Sequence, residues 1–282
     1  MPELPEVETV RKGLDSLLAG RVIRAARVHL PRIVRQPDMD TFCALLRERC
    51  IERVRRRGKY LLIDLGEWTL VSHLRMEGRY GVFAADEDVA PHTHVRFILD
   101  RGEELRYRDV RQFGTMDLLP TAQLASHRGL AALGPEPLAA EFDEMVLEEK
   151  LQSRSGPIKG VLLDQSVVAG IGNIYADEIL FAARVHPERV AQRLTRRQVR
   201  ELVYATKRIL AASIEQGGSS VKSYVDGFGE QGRFQYALHV YGREGLPCAC
   251  CGNPVRKGRV AGRGTHVCVV CQTPPRGAQI TS

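Results

Sequence analysis

No stretch of the 282 residues comes near the roughly 20 consecutive apolar residues that cross a bilayer. No apolar secretory segment follows Met1. A cytoplasmic protein with no membrane partner is expected. Internal repeats and low-complexity tracts are absent as well. Cysteine is scarce and odd in number, seven in all, and four of them gather near the C-terminus, which argues against a disulfide framework. Acidic residues are outnumbered, 34 against 41 Lys and Arg. The resulting net charge of +7 favours a polyanionic partner, a statement about association and not about fold.

What is present is ordinary for a globular chain: 44% hydrophobic and 27% charged residues, over a length sufficient for two cores. Val7, Val10, Leu14, Leu17 and Leu18 recur at helical spacing, with Pro5 suited to the first turn. A strand is expected over 21–30, and a short helix over 39–50, with Cys43 and Cys50 as packed thiols one heptad apart. Short β-type runs follow at 51–55, 59–65, 68–74, 79–84, 94–99, 104–108 and 115–119, punctuated by Gly and Asp. They predict a β-sandwich with flanking helices. Leu133-Gly134-Pro135-Glu136-Pro137 reads as a linker. Beyond it the period turns helical, over 143–152, 157–164, 173–183 and 195–215. Thr195 and Gln198 form a capping box for the last of these, and Gly217-Gly218 ends it. A long loop is expected over 219–237. The expected class is therefore α+β and multidomain: 1–132 a sandwich, 133–137 a linker, 138–237 a helical domain carrying the loop, and 238–282 a metal module.

Cys248-x-x-Cys251 and Cys268-x-x-Cys271 supply four thiolates in two tight knuckles, the donor set of a closed tetrahedral zinc site. With no open position, such a metal is structural. Cys250 is a competing ligand, which the two-residue spacing disfavours. Arg256, Lys257, Arg259 and Arg263 lie between the knuckles with no acid among them. They suit phosphate contact or form a solvated basic face. Gly170-Ile171-Gly172 before a helix start makes a turn that either cradles phosphate or binds nothing. Arg53, Arg55, Arg56, Arg57 and Lys59 form a cationic run, read as a solvated strand edge or a contact to a nucleic-acid backbone. Read alone, Met76 and Phe113 are core residues and His92 is a loop histidine.

At the N-terminus stands Pro2-Glu3-Leu4-Pro5-Glu6. Removal of Met1 would leave Pro2 a secondary amine that titrates at about 7.7–8.0, well below lysine. Such an amine is a candidate nucleophile toward a sugar's anomeric carbon, through a cationic Schiff base. Glu3 beside it is a candidate acid, base or counter-charge.

Pro2-Glu3-Leu4-Pro5-Glu6-Val7-Glu8-Thr9 resembles the opening of bacterial formamidopyrimidine-DNA glycosylases, and the likeness extends along nearly the whole chain. The resemblance implies a base-excision-repair glycosylase and abasic-site lyase acting on oxidised purines in double-stranded DNA. It also implies a monomer, a basic cleft, a helix-two-turns-helix element and a zinc-finger hairpin. In that family's terms Pro2 forms the Schiff base and Glu3 assists ring opening. Lys59 and Arg263 are proton donors in β- and δ-elimination. Met76, Arg111 and Phe113 would enter the duplex, while His92, Lys159, Asn173 and Tyr241 would contact DNA. Ser219, Lys222 and Ser223 would read the extruded base, although relatives often carry Arg and Thr where this chain has Lys222 and Ser223. The endonuclease VIII group opens similarly, but usually with Gly in place of Leu4. A zinc-ribbon DNA-binding protein without catalysis is the more distant alternative.

Overall fold

A computed structural model describes residues 1–219 and 232–280. Lys222 and Ser223 fall outside them. Two compact units result: Met1–Ala131 with the described part of Gln216–Arg233, and Ala132–Glu215 with the described part of Phe234–Ser282.

The first unit begins with α1 (Leu4–Leu18), which buries Leu4, Val7, Val10, Leu14 and Leu18 along one side. Two five-stranded sheets follow. One runs β3 (Arg49–Cys50), β1 (Val22–Val28), β8 (Thr93–Leu99), β9 (Glu103–Arg108) and β7 (Arg79–Ala84). The other runs β2 (Val34–Gln36), β10 (Thr115–Pro120), β6 (Trp68–His73), β5 (Tyr60–Leu65) and β4 (Arg53–Arg57). One core joins Phe97, Leu105 and Tyr107 of the first sheet to Leu61, Ile63, Leu70, Met116 and Leu118 of the second. Phe42 and Leu46 of α2 (Met39–Leu46) and the apolar side of α1 complete it. The expected sandwich with flanking helices is therefore present.

The helix expected over 39–50 is shorter than its composition suggested. Glu48 takes φ +59 and its N–H donates to Ile23 O at 2.7 Å, which reverses the chain. Arg49–Cys50 then pairs with β1, Val22 opposite Cys50. Cys50 is thus an exposed strand residue and not a helix neighbour of Cys43.

Buried charge in this unit is paired. Glu104, 3% exposed, accepts from Arg96 at 2.6 and 2.8 Å and from Arg106 at 2.9 Å. Burial pushes its carboxyl up, but the two guanidinium groups outweigh this and hold it below the ordinary value of 4.5. A group with a depressed folded-state pKa contributes stability above its unfolded value and loses it as pH falls through the folded one. Glu104→Gln should therefore cost about 3 kcal/mol at neutral pH, the scale of a broken buried pair. The gap from the parent should narrow as pH falls below about 4.5 and close only below the depressed folded-state value, where the parent's carboxyl is also neutral. Urea unfolding at pH 7 and pH 3.5 checks both; a gap that is constant with pH would contradict the ion-pair account.

The second unit holds the helices α4 (Glu144–Leu151), α5 (Ile158–Leu163), α6 (Asn173–Ala182) and α7 (Arg196–Glu215). The short helix α3 (Arg128–Ala131) closes the first unit. At the start of α7, Thr195 N–H donates to Gln198 Oε1 at 3.0 Å and Gln198 N–H to Thr195 Oγ1 at 3.3 Å, the reciprocal pair expected from sequence. The hairpin β11 (Arg256–Val260) and β12 (Arg263–Val267) belongs to the same unit. The expected division set 238–282 apart, whereas here the hairpin is bonded into α5 and α6. A short helical turn at Phe234–Ala237 lies where loop alone was expected.

Candidate active site and cysteine cluster

Strand register decides what meets at one end of the sandwich. Tyr60 pairs with His73, and His73 with Thr115. Lys59, the turn 74–78 and the segment 109–114 therefore leave the second sheet side by side. In the first sheet Arg108 pairs with both Arg79 and Thr93, so the same two connections, and His92, reach that sheet at one end too. Lys59, Met76, His92, Arg111 and Phe113 are thus gathered by topology, from four separate stretches of chain.

The N-terminus is directed to the same end. Arg56 Nε donates to Glu8 Oε2 at 2.9 Å, and Val54 N–H to Asp15 Oδ1 at 2.6 Å. Helix α1 therefore runs antiparallel to β4, with its start toward the Gly58–Lys59 turn. Glu3 is buried at the N-cap of α1 and shares a capping box with Glu6; its N–H donates to Glu6 Oε2 at 2.8 Å. Pro2 is half-buried before it. Lys59 is buried. His73 is pushed down to about 3 by burial and by the nearby cations Arg75, Lys59 and Arg35. It is neutral at physiological pH, and its Nδ1 accepts from Arg75 N–H at 3.0 Å.

Phe113 is 53% exposed, and the Arg111 guanidinium lies 5.1 Å from its ring centroid. An exposed phenyl ring stacked by a cation is a large apolar surface held out to solvent. The turn that presents it is stiff. Asp109, fully buried, accepts Arg111 N–H at 3.1 Å and Gly114 N–H at 2.8 Å. Met76 is half-buried, and His92 is exposed at φ +67. Phe113 and Met76 are therefore not core residues, which is how they read in isolation.

Ser219 lies at the stem of the expected loop. Its N–H donates to Glu6 Oε1 at 2.8 Å, so one buried carboxylate ties this stem to the N-terminal segment. Gly218, at φ +79, approaches so closely that a Cβ there would come 2.9 Å from Glu6 Oε1. Glu6 escaped the sequence reading as a site residue. Its signal was the Glu3-x-x-Glu6 spacing, in which two acids share one helix start.

The cationic run lies on an edge strand and is partly tied down by acids of the fold. Arg55 forks onto Asp64 at 2.6 and 2.7 Å, Arg53 joins the same carboxylate at 2.9 Å, and Arg56 is held by Glu8. These three guanidinium groups are ion-paired within the fold, two of them sharing one carboxylate, while Arg53 stays largely exposed.

In the second unit Arg263 opens β12 directly after the two-residue turn Ala261-Gly262, at φ +49 and +74, and is exposed. Asn173 Nδ2 donates to Gly264 O at 3.0 Å. The Tyr241 ring stands 5.0 Å from that of His266, and its N–H donates to Glu178 Oε1 at 2.8 Å. Glu178 also accepts the N–H groups of His239 and Val240; burial pushes its carboxyl up despite them. Lys159 was expected at phosphate. Instead it is fully buried, 2.7 Å from Asp177 Oδ1, and donates to Gly264 O at 2.7 Å and Thr265 Oγ1 at 2.8 Å. Its two hydrogen bonds and its ion pair with Asp177 all point inward, so the ammonium faces the interior of this unit.

The sulfur atoms of Cys248, Cys251, Cys268 and Cys271 all lie within 4.8 Å of one another. Across the cluster, Cys248 and Cys271 are 3.9 Å apart, and Cys251 and Cys268 are 3.4 Å apart. A tetrahedral ion with metal–sulfur bonds of about 2.3 Å sets sulfurs about 3.8 Å apart, so the donor set fits zinc. Burial pushes the Cys268 and Cys271 thiols up, while hydrogen bonding from Asn253 draws Cys251 down to about 6. Four thiolates this close require a cation to offset their repulsion. Cys250 is exposed and outside the cluster; its N–H donates to Cys248 Sγ at 3.4 Å.

The family model for the formamidopyrimidine-DNA glycosylase N-terminal domain matches residues 1–116, and that for the same enzymes' H2TH domain matches residues 133–225. The chain belongs to the formamidopyrimidine-DNA glycosylase family. It is 50% identical over 273 residues to the formamidopyrimidine-DNA glycosylase of Halalkalibacterium halodurans, covering 96% of this chain and all of that one. Among solved structures, a complex of a Lactococcus lactis Fpg mutant with Fapy-dG-containing DNA superposes with a TM-score of 0.92 at 40% identity, covering 97% of this chain. The Lactococcus lactis Fpg bound to DNA with an abasic site gives 0.91, also at 40% identity, over 96% of this chain. The glycosylase family thus accounts for both units, sandwich and helices alike.

Proposed function

We propose that the protein is a base-excision-repair DNA glycosylase and abasic-site lyase that removes oxidised purines from double-stranded DNA. The observation that carries this reading is the convergence of the N-terminal segment, Lys59 and the Arg111–Phe113 turn on one end of a rigid sandwich. A base that is cut chemically must leave the stack, and the gap is filled by an inserted side chain. Phe113, exposed and stacked by Arg111, supplies such a wedge, with Met76 beside it.

With Met1 removed, the Pro2 nitrogen attacks C1′ of the damaged nucleotide. The nitrogen–C1′ bond forms as the bond to the base breaks, and the base leaves with the electron pair and a proton. Glu3 delivers a proton to the ring oxygen as the sugar opens, which gives an iminium ion on Pro2. The iminium acidifies the C2′ hydrogen. Transfer of that proton to water, with cleavage of the C3′–O bond, expels the 3′ phosphate, and Lys59 protonates the departing oxygen. Loss of the C4′ hydrogen then expels the 5′ phosphate, with Arg263 donating to it. Tyr241, Asn173 and His92 fit contacts to the DNA backbone. Ser219 belongs to the loop stem that faces the extruded base, and Lys222 and Ser223 are assigned to the same loop by resemblance. Cys248, Cys251, Cys268 and Cys271 would hold one zinc ion. When bound it supplies a structural cross-link and no acid–base chemistry, because its four positions are filled.

Borohydride reduction tests the reading, because it fixes the iminium as a stable conjugate. An 8-oxoguanine duplex should yield a protein–DNA adduct of one-to-one stoichiometry mapped to the N-terminal peptide. No adduct would make the protein a binder only. An adduct formed on a thymine-glycol duplex in preference would place it with the enzymes that act on oxidised pyrimidines.

A further inference from the structure

The tip of the zinc-cluster hairpin is clamped from behind by two helices, and the clamp is built around one buried carboxylate. Asp177 Oδ1 lies 2.7 Å from Lys159 Nζ, and both side chains are fully buried. The other oxygen, Oδ2, accepts the His266 backbone N–H at 2.9 Å, with His266 Nδ1 at 3.3 Å. Lys159 passes the grip forward to Gly264 O and Thr265 Oγ1, the two residues that follow Arg263. Asn173, at the start of α6, holds the same Gly264 carbonyl. Next to Lys159, Gly160 leaves room for the turn itself: a Cβ there would come 2.8 Å from Ala261 Cβ. Every residue from Ala261 to His266 except Gly262 and Arg263 is thus touched or bonded by this clamp.

We propose that Asp177 is a positioning residue for Arg263. It sets the height and register of the hairpin tip through Lys159 and through the His266 N–H, and so decides whether the Arg263 guanidinium reaches the second departing phosphate. This rests on the proposed lyase reading. An exposed arginine on a bare two-residue turn would sample many positions. A displacement of about 1 Å at a reacting group is enough to lose roughly a hundredfold in rate. A buried ion pair also favours one arrangement, because a shifted register would strand a charge in the interior. Lys159 cannot substitute for the contact it supports, since its ammonium is spent within the fold.

The test compares the two eliminations in one protein. The purified, zinc-loaded enzyme, in excess over an abasic-site duplex, is followed in a single turnover, so that weaker binding does not enter. Asp177→Asn removes the charge, and Gly160→Ala displaces the turn sterically without touching any charge. Both variants should form the borohydride adduct and the β-elimination product within about twofold of the parent, with zinc content unchanged. Both should lose at least tenfold in the rate of the δ-product. A β-to-δ ratio equal to the parent's in either folded variant would overturn the proposal. So would a parallel fall in both steps, since that marks a general structural defect. If Asp177→Asn does not fold, Gly160→Ala decides alone. Absence of any adduct in the parent would instead remove the lyase reading itself, an outcome distinct from both.

Discussion

Pro2→Gly should reduce the borohydride-trapped adduct on an 8-oxoguanine duplex by about a hundredfold, with the folded structure intact. The proline nitrogen is a secondary amine, so its adduct with an aldehyde carbon is an iminium that stays cationic. Glycine offers a primary amine, whose neutral imine must first gain a proton before it can draw electrons from C2′. Glycine also lacks the pyrrolidine ring that locks rotation about the nitrogen–Cα bond and so orients the nitrogen's lone pair. The amine would then wander at the mouth of α1, and misplacement near 1 Å is worth roughly a hundredfold. Because Pro2 is only half-buried and its ring is no part of the sandwich core, thermal stability should barely change. An adduct at parental yield, or one mapped to an internal lysine peptide, would refute the assignment. Intact-mass measurement showing Met1 retained in active protein would do the same.

Removing the metal should have the second large effect. Apparent zinc affinities of four-ligand structural sites correspond to about 10–16 kcal/mol, as large as the whole stability of a domain. Around the cysteines the apolar packing is thin: Phe181, Val240 and Val255 are the buried hydrophobic neighbours of Cys248 and Cys268. Chelation is therefore expected to unfold the hairpin and with it the placement of Arg263. Affinity for a lesion-containing duplex should drop at least tenfold at fixed salt, and zinc readdition should restore it. The sandwich, whose core contains none of the four cysteines, should retain its strand signal in circular dichroism. Unchanged DNA affinity in metal-free protein would remove the hairpin from the DNA-binding surface.

Much of this was readable beforehand, and the reasons are specific. The strands at 79–84 and 115–120 and the helix at 196–215 announce themselves because their apolar residues repeat with one period and end at Gly, Pro or a capping pair. The cysteine spacing named its donor set because two knuckles leave few other geometries. What periodicity could not supply was partnership. Arg53, Arg55 and Arg56 look like a phosphate-binding stretch until Asp64 and Glu8 are brought beside them by a hairpin and a helix. Lys159 carries a charge that resemblance sends to DNA, yet Asp177, eighteen positions on, holds it inside. A clue lay in α6 itself: Asp177 and Glu178 interrupt an otherwise apolar helix, and acids in such a setting must each serve a buried donor. Phe113 misleads in the other direction. Composition places a phenylalanine in the core, and only the short connection between two strands, braced by Asp109, turns it outward.

The pairing of Tyr60 with His73, and of His73 with Thr115, has a bearing on how this chain can change over time. Turns at the opposite end of the sheets, such as Gly66–Glu67 and Asp100–Gly102, touch none of the reactive groups. They can be lengthened or rewritten at the expense of stability alone. An inserted residue inside β6 would instead rotate Lys59, Met76 and Phe113 out of alignment together, because alternate residues face opposite sides. Chemistry at one rim and freedom at the other is how a rigid scaffold lets a repair enzyme drift in sequence while its reaction stays put.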